Sequence, residues 1–279
     1  VEADRFWPIY REFELEMAKI GDATSEEGES KFEELIRARL NDPVQEIRET
    51  AAVALGILSN PASITLLERI LTEHPDALSL LQEAGGINYR TRAFAAYGLG
   101  LVGYRTEDPK TRRGIVETLV GVLESPRMAT RDVKVASLIA MGLVPLDVRE
   151  TALEEDQVEN PWDSRQAQVA YLVEFFEDDK SKDRGYLVRA HAPRSIAMLL
   201  EGASPEVRDA AVETLLKYVG KTAPGEVELR QSCTLALGIV GDLDADKVDA
   251  KIRKHLIEAK GNADQQTKYF RLIALAQIG

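Results

Sequence analysis

From about residue 29 onward, apolar residues return at helical spacing. Phe32, Leu35, Ile36 and Leu40 fall at i, i+3, i+4 and i+8, and Ile47, Ala51, Ala54, Leu55 and Leu58 share one face of the next segment. Both segments read as amphipathic helices. The second carries a phrase that recurs: a basic residue, a small or variable residue three later, then Ala-Leu-Gly or a near copy. It stands as Arg48, Ala51, Ala54-Leu55-Gly56, as Arg92, Ala95, Gly98-Leu99-Gly100, and as Lys134, Ser137, Ala140-Met141-Gly142. Looser copies are Arg189, Ala192, Ser195-Ile196-Ala197, then Arg230, Cys233, Ala236-Leu237-Gly238, and Lys268, Arg271, Ala274-Leu275-Ala276. The anchors 56, 100, 142, 197, 238 and 276 lie 44, 42, 55, 41 and 38 residues apart, the period of a solenoid of helix pairs.

A gapless internal match supports duplication. Ile115 to Leu123 reads IVETLVGVL and Ala211 to Val219 reads AVETLLKYV, 96 residues on, and the same offset carries Lys134 onto Arg230 and Gly142 onto Gly238. Six pairs of an outer and an inner helix are predicted at about 29–59, 61–103, 109–144, 163–200, 206–241 and 246–279. Breakers at Asp42-Pro43, Ser125-Pro126 and Ser204-Pro205 fall between helices. Before the array, Arg5 to Ile20 reads as a lone helix whose Phe6, Trp7, Tyr10 and Phe13 suit the closing of an exposed end. The chain therefore divides into a capping helix and linker, 1–28, and a repeat array, 29–279. Two insertions break the period, at about 75–86 and 145–163; the second holds seven acidic residues, one basic residue and Trp162. Small residues crowd the inner helices, where each helix must approach its neighbours closely. Glycine there costs about 1 kcal/mol of helix propensity relative to alanine, so a tight backbone contact or a helix end is expected at Gly56, Gly100, Gly142 and Gly238.

The phrase Asp42-Pro43, Ile47-Arg48, Ala51-Ala52 and Ala54-Leu55-Gly56 resembles the HEAT-repeat family, including its bacterial HEAT-like branch, and the resemblance covers roughly residues 29 to 279. It implies an all-α, right-handed α-α superhelix of about six helix pairs. It also implies a side-chain ladder in which an acid at the interhelical turn meets the basic residue of the inner helix. The basic positions are Arg48, Arg92, Lys134, Arg189, Arg230 and Lys268; the acid or amide six positions earlier is present only as Asp42, Asp183 and Asn262. Gly86, Met128 and Pro224 occupy the other three places, so the ladder is expected to be interrupted there. HEAT proteins are mostly scaffolds and adaptors, so the resemblance implies a surface offered to a macromolecule and decides no activity.

Net charge is −12 with a sequence pI near 4.9, which weighs against a phosphate-backbone partner because such binding draws on clustered Lys and Arg. The basic track, extended by Arg90, Arg131, Arg194 and Arg271, keeps that alternative in view. Cysteine occurs once, at Cys233, and His74, His191 and His255 lie in different repeats, so no metal or nucleophile spacing is present. No metal, cofactor or catalytic constellation is expected, and the reading is of a protein that is not an enzyme. No apolar run is long enough to span a bilayer, and no targeting segment is visible. The cytoplasm is the default compartment. Val1 is not an initiator methionine, and the array stops at the end of a repeat phrase, so the chain is read as part of a longer protein.

Three positions before each anchor stand Val53, Tyr97, Ile139, Arg194, Leu235 and Ile273; seven before stand Glu49, Ala93, Val135, Ala190, Gln231 and Tyr269. A solvent-facing row is normally polar. Either neighbours enclose the inner helices, or their face is an apolar groove for a protein or peptide partner. The candidate contacts are Tyr97, Arg194, Gln231 and Tyr269. The acidic insertion reads as a solvated loop, or as a docking element through Trp162. The leading reading is a scaffold binding a protein along its concave inner-helix surface. The alternatives are a HEAT-like lyase or lyase subunit of the bilin-attaching type and a nucleic-acid-binding HEAT-like protein.

Overall fold

A computed structural model describes residues 31–279 apart from 83–84, 126–128, 151–157, 180–184, 220–226, 245 and 259–263. The lone helix at 5–20, Asp183, Met128, Pro224 and Asn262 lie outside the described residues. Within them the chain is all helix and connection, and the helices pair as successive antiparallel bricks: α1 (Lys31–Arg39) with α2 (Gln45–Leu58), and α3 (Pro61–Leu71) with α5 (Tyr89–Arg105). The short α4 (Pro75–Leu80) lies between the last two. The third brick is α6 (Pro109–Glu124) with α7 (Arg131–Leu143). The fourth is α8 (Arg165–Glu177) with an inner helix in two pieces, α9 (Tyr186–Arg189) and α10 (Ala192–Leu199). The last two are α11 (Pro205–Val219) with α12 (Val227–Val240), and α13 (Lys247–Glu258) with α14 (Gln265–Ile278). The fourth inner helix departs from the single helix that its repeat phrase predicts. Pro193 sits in the first turn of α10, where its missing N–H is tolerated, and the chain breaks at Ala190 and His191.

The inner helices form one continuous layer, α2, α5, α7, α10, α12 and α14 in order, each packed on the next. Glycine makes this possible. A Cβ on Gly56 would lie 2.4 Å from Gly98 Cα, one on Gly100 would lie 2.9 Å from Ala140 Cα, one on Gly142 would lie 2.7 Å from Ser195 Cα, and one on Gly238 would lie 2.6 Å from Ala274 Cα. Successive inner helices thus meet backbone to backbone. The core between the layers is filled by Leu55, Leu67, Leu99, Leu119, Leu138, Leu172, Leu215 and Leu237, none of them accessible to solvent. At roughly 25 cal/mol per Å2 of apolar surface, each contributes about 2 kcal/mol.

The outer layer is looser, and polar pairs stitch it. Buried Glu33 accepts from Ser63 Oγ at 2.8 Å and pairs with Arg37 at 2.6 Å. Tyr171 Oη donates to Glu124 at 2.6 Å, and Arg208 joins α11 to Asp249 at 2.6 Å and Asp246 at 2.8 Å. Between α7 and α8 the described parts of the insertion are tied down rather than loosely solvated. Buried Gln168 donates to Met141 O at 3.1 Å and Val144 O at 2.8 Å, Gln166 bonds both backbone groups of Arg149, and Arg149 pairs with Glu159.

Candidate functional site

Three of the repeated basic residues, Arg92, Lys134 and Arg189, turn inward, and Asp42, the ladder acid that lies among the described residues, does not meet Arg48. Arg92 Nε donates to Leu71 O at 2.9 Å and its Nη1 meets Glu73 at 2.8 Å; Arg189 Nε donates to Phe176 O at 2.7 Å. Leu71 and Phe176 stand at the C-terminal ends of α3 and α8. There the last carbonyls of a helix lack intrahelical partners and a cation complements the negative end of the dipole. The guanidinium therefore closes the outer helix of its own brick. Arg92, Lys134 and Arg189 are all nearly buried, and burial lowers the Arg92 pKa while Glu73 opposes the shift. Asp42 does not reach Arg48: its carboxylate accepts from Val44 N at 2.9 Å and lies 3.6 Å from Arg39, while Arg48 binds Gln45. Lys268 is exposed at the last brick and Arg230 is half-buried.

Links between successive inner helices come from other side chains. Gln45 donates to Thr91 at 3.0 Å, Arg90 meets Glu49 at 2.8 Å, and Ser195 Oγ donates to Leu138 O at 2.7 Å. Gln231 belongs to this set, since its amide donates to Asp264 at 3.1 Å. Asp264 in turn accepts from Thr267 N at 2.8 Å and caps α14.

The open face of the inner layer carries the remaining candidates. Val53, Tyr97, Ile139 and Leu235 are half-exposed, Arg194 is exposed, and Ile273 and Tyr269 are 46% and 55% exposed. Tyr97 packs edge-on against Phe94 with centroids 5.7 Å apart. Burial, and then the charge of Asp132, raise its pKa, so it presents a neutral hydroxyl. A second row, one residue past each anchor, lies beside the first at i+4 and was missed by reading the first alone. It consists of Ile57, Leu101, Leu143, Met198 and Ile239, with Gln277 at the end. Ile57 and Ile239 are 40% and 39% exposed, and the others in the row are half-exposed except exposed Gln277. The two rows make a nearly unbroken apolar band across six helices, with Arg194 as a cation near its middle. Trp162 is elsewhere: half-buried and packed against the core at the insertion.

The groups that carry chemistry are dispersed. Cys233 is fully buried, which raises its thiol pKa well above the ordinary value. His74 Nδ1 accepts from Asp76 N at 3.2 Å, and His255 lies at 2.8 Å from Lys251 O. His191 stands at the break between α9 and α10, its pKa lowered by burial. Asp242, Asp244 and Asp249 bring carboxylate oxygens within 4.8 Å of one another, but they cap a turn, Asp249 accepting from Asp242 N at 2.9 Å, and Arg208 already supplies the cation. Among the described residues no helix is long and apolar enough to cross a membrane.

No family model matches the chain, and no curated protein matches it. Solved structures of similar course exist. An engineered protein is 18% identical over 89% of this chain and 97% of its own, with a TM-score of 0.40. The complex of CpcE and CpcF of phycocyanin lyase from Nostoc sp. PCC7120 is 18% identical over 92% and 98%, with a TM-score of 0.39. Human deoxyhypusine hydroxylase in complex with glycerol is 16% identical over 90% and 85%, with a TM-score of 0.31. The expectation that the chain is not an enzyme is corrected here: two of these three structures bear the names of a lyase and a hydroxylase.

Proposed function

We propose that this chain is a HEAT-like repeat protein that binds a partner protein or peptide along the open face of its inner helices. The supporting observation is the paired apolar band, Val53 with Ile57 through Leu235 with Ile239, left partly exposed across successive bricks. A monomer rarely leaves so extended an apolar surface to water. An amphipathic helix or extended segment laid across it would bury its own apolar side, with Tyr97 and Tyr269 as aromatic anchors. Arg194 favours a carboxylate on that partner. The test is a pull-down from the source organism with the wild-type chain and with Tyr97→Asp/Ile139→Asp. The partner is expected with the first and lost with the second while the melting curve is retained. Equal recovery by both would refute the reading.

A second reading keeps an activity: a lyase or lyase subunit that attaches a bilin to an antenna protein, the kind of protein named for the Nostoc complex. A direct transfer assay with free bilin and the apo-antenna protein separates the two, since a binding protein alone forms no covalent adduct. Nucleic acid is expected to be retained negligibly even at low salt, where phosphate binding is strongest.

A further inference from the structure

One position in the apolar band breaks its pattern. Three residues before the anchor the other five bricks carry Val53, Tyr97, Ile139, Leu235 and Ile273, whereas the fourth carries Arg194, exposed to solvent. Arginines elsewhere on the inner helices serve the fold: Arg90 meets Glu49, Arg92 meets Glu73, Arg105 Nη1 donates to Ile57 O, and Arg189 closes the fourth brick through Phe176 O. Among the described residues the guanidinium of Arg194 makes no hydrogen bond or ion pair.

The helix gains nothing from it either. Arg194 stands in the first turn of α10, where the dipole favours an anion, and α10 has neither an acidic residue in that turn nor a side-chain cap. An apolar residue here would continue the band, as in the other five bricks. A charge that the fold neither pairs nor uses points to a contact outside it. A guest laid on the band strips water from Arg194 as it covers the neighbouring apolar rows. Without a carboxylate it leaves the guanidinium covered and unpaired, which costs free energy; with one, the pair forms where water is excluded and is stronger than the same pair in solvent.

The surface narrows the guest further. Inner helices keep their backbone bonds to themselves and offer no edge to an extended strand, so a guest that satisfies its own backbone, a helix, fits best. Packed helices lie about 8–10 Å apart and a helix rises about 1.5 Å per residue, so a guest crossing the bricks advances about five to seven residues per inner helix. Residues seven apart share a face. Because net charge is −12, a run of acidic residues is repelled at long range and one placed carboxylate is favoured. Building on the docking band, on which this step rests, we infer that the guest is an amphipathic helix of a partner protein with a single Asp or Glu inside its apolar face, paired with Arg194, and apolar residues two turns to either side against Ile139 and Leu235.

The test titrates the full chain into fluorescent peptides of about 18 residues, long enough to hold a helix, and reads anisotropy. The probe has Glu at its centre and Leu at i±3, i±4 and i±7. Three controls differ only in the acid: Gln at the centre, Leu at the centre, and the central Glu exchanged with the residue two positions on, which faces solvent. The probe should bind at least about tenfold tighter than each control, about 1.4 kcal/mol, even though the Leu-centred peptide is the most apolar. Arg194→Met should bring the probe and the Gln control within about twofold and make the Leu-centred peptide the tightest. Arg194→Glu should favour a Lys-centred peptide over the probe at least about tenfold. Both replace an exposed side chain, and thermal melts check that they fold. Tyr97→Asp/Ile139→Asp should weaken all the peptides together. Equal binding of the probe and the displaced-Glu or Gln peptide, or an unchanged preference in Arg194→Met, would overturn the carboxylate and leave the band intact. Failure of every peptide to bind, or binding indifferent to Tyr97→Asp/Ile139→Asp, would remove the docking band itself and this guest with it.

Discussion

Replacing Gly56 by alanine tests whether the inner layer is built on main-chain contact. The added methyl would lie 2.4 Å from Gly98 Cα, 2.5 Å from its carbonyl oxygen and 2.7 Å from its carbonyl carbon. All three are backbone atoms, so no rotamer change relieves them. Helices α2 and α5 must separate by about 1 Å to restore ordinary contact distances. Helix propensity acts in the opposite direction, favouring alanine by about 1 kcal/mol. Overpacking typically costs about 1–3 kcal/mol, and the separation also withdraws contacts from the fully buried Ala52 and Leu55. Net destabilisation of roughly 1–2 kcal/mol is expected at this joint. The same substitution at Gly121 is the internal control: it lies in outer helix α6, exposed, and its Cβ would meet nothing within 4 Å. Gly121→Ala should stabilise by about 0.5–1 kcal/mol.

Because a repeat array can open locally, amide hydrogen exchange across α2 and α5 is the primary readout, with urea unfolding beside it. Gly56→Ala should raise exchange in those two helices, and Gly121→Ala should slow it in α6. Equal stabilisation by both substitutions would refute the backbone-contact reasoning.

Arg92→Met should cost about 2–3 kcal/mol, because it leaves Leu71 O buried without its charged donor and frees Glu73; Arg92→Lys should recover only part, having no fork to serve both. Chemical denaturation measures each. Gln168→Leu removes the side-chain partner of Val144 O and Leu146 N and one of the two donors to Met141 O and should cost about 2–3 kcal/mol, with exchange rising first at Leu146. Unchanged exchange there would sink the assignment. On the acid side, four carboxylates sit below their ordinary values: Asp108 chiefly through the Thr111 hydroxyl, Glu206 through a backbone hydrogen bond, Asp246 at about 2 chiefly through Asp249 N–H, and Asp264, against the desolvation that raises it, through the Thr267 hydroxyl and N–H. Lowered folded values give stability that is present above the ordinary values, 3.8 for Asp and 4.5 for Glu, and lost as pH falls through the folded ones. Melting temperature should therefore decline from about pH 4.5 toward pH 2; a flat profile there would contradict it.

The inner layer was legible in the sequence because its requirement is for particular side chains: only glycine or alanine permits a crossing at backbone distance, and those residues recur at the repeat period. The carbonyl partners of Arg92 and Arg189 were not legible. Arg92 and Arg189 bond carbonyls of Leu71 and Phe176, and a carbonyl belongs to every residue, so no side-chain pattern announces it. Searching for acids six positions earlier led to Asp42, whose carboxylate serves Val44 N. The second apolar row was within reach. Adding four to Val53, Tyr97, Ile139 and Leu235 gives Ile57, Leu101, Leu143 and Ile239, the same face one turn on. The break at Ala190 also had its signal in Pro193.

The candidate surface follows from one asymmetry between the layers. Where glycine faces Gly98, Ala140, Ser195 or Ala274, the inner helices meet so closely that a Cβ would lie 2.4–2.9 Å from the facing Cα. Side-chain rows on neighbouring helices then abut, and separate half-exposed residues such as Tyr97 and Ile139 merge into a continuous band. Among the described residues the outer helices show no such glycine contacts. Their joints are made by long polar side chains, Tyr171 to Glu124, Lys217 to Glu177 and Arg208 to Asp249, which reach across gaps that apolar residues leave unfilled. A layer held at arm's length keeps its side chains apart, and a layer held at backbone distance presents a surface.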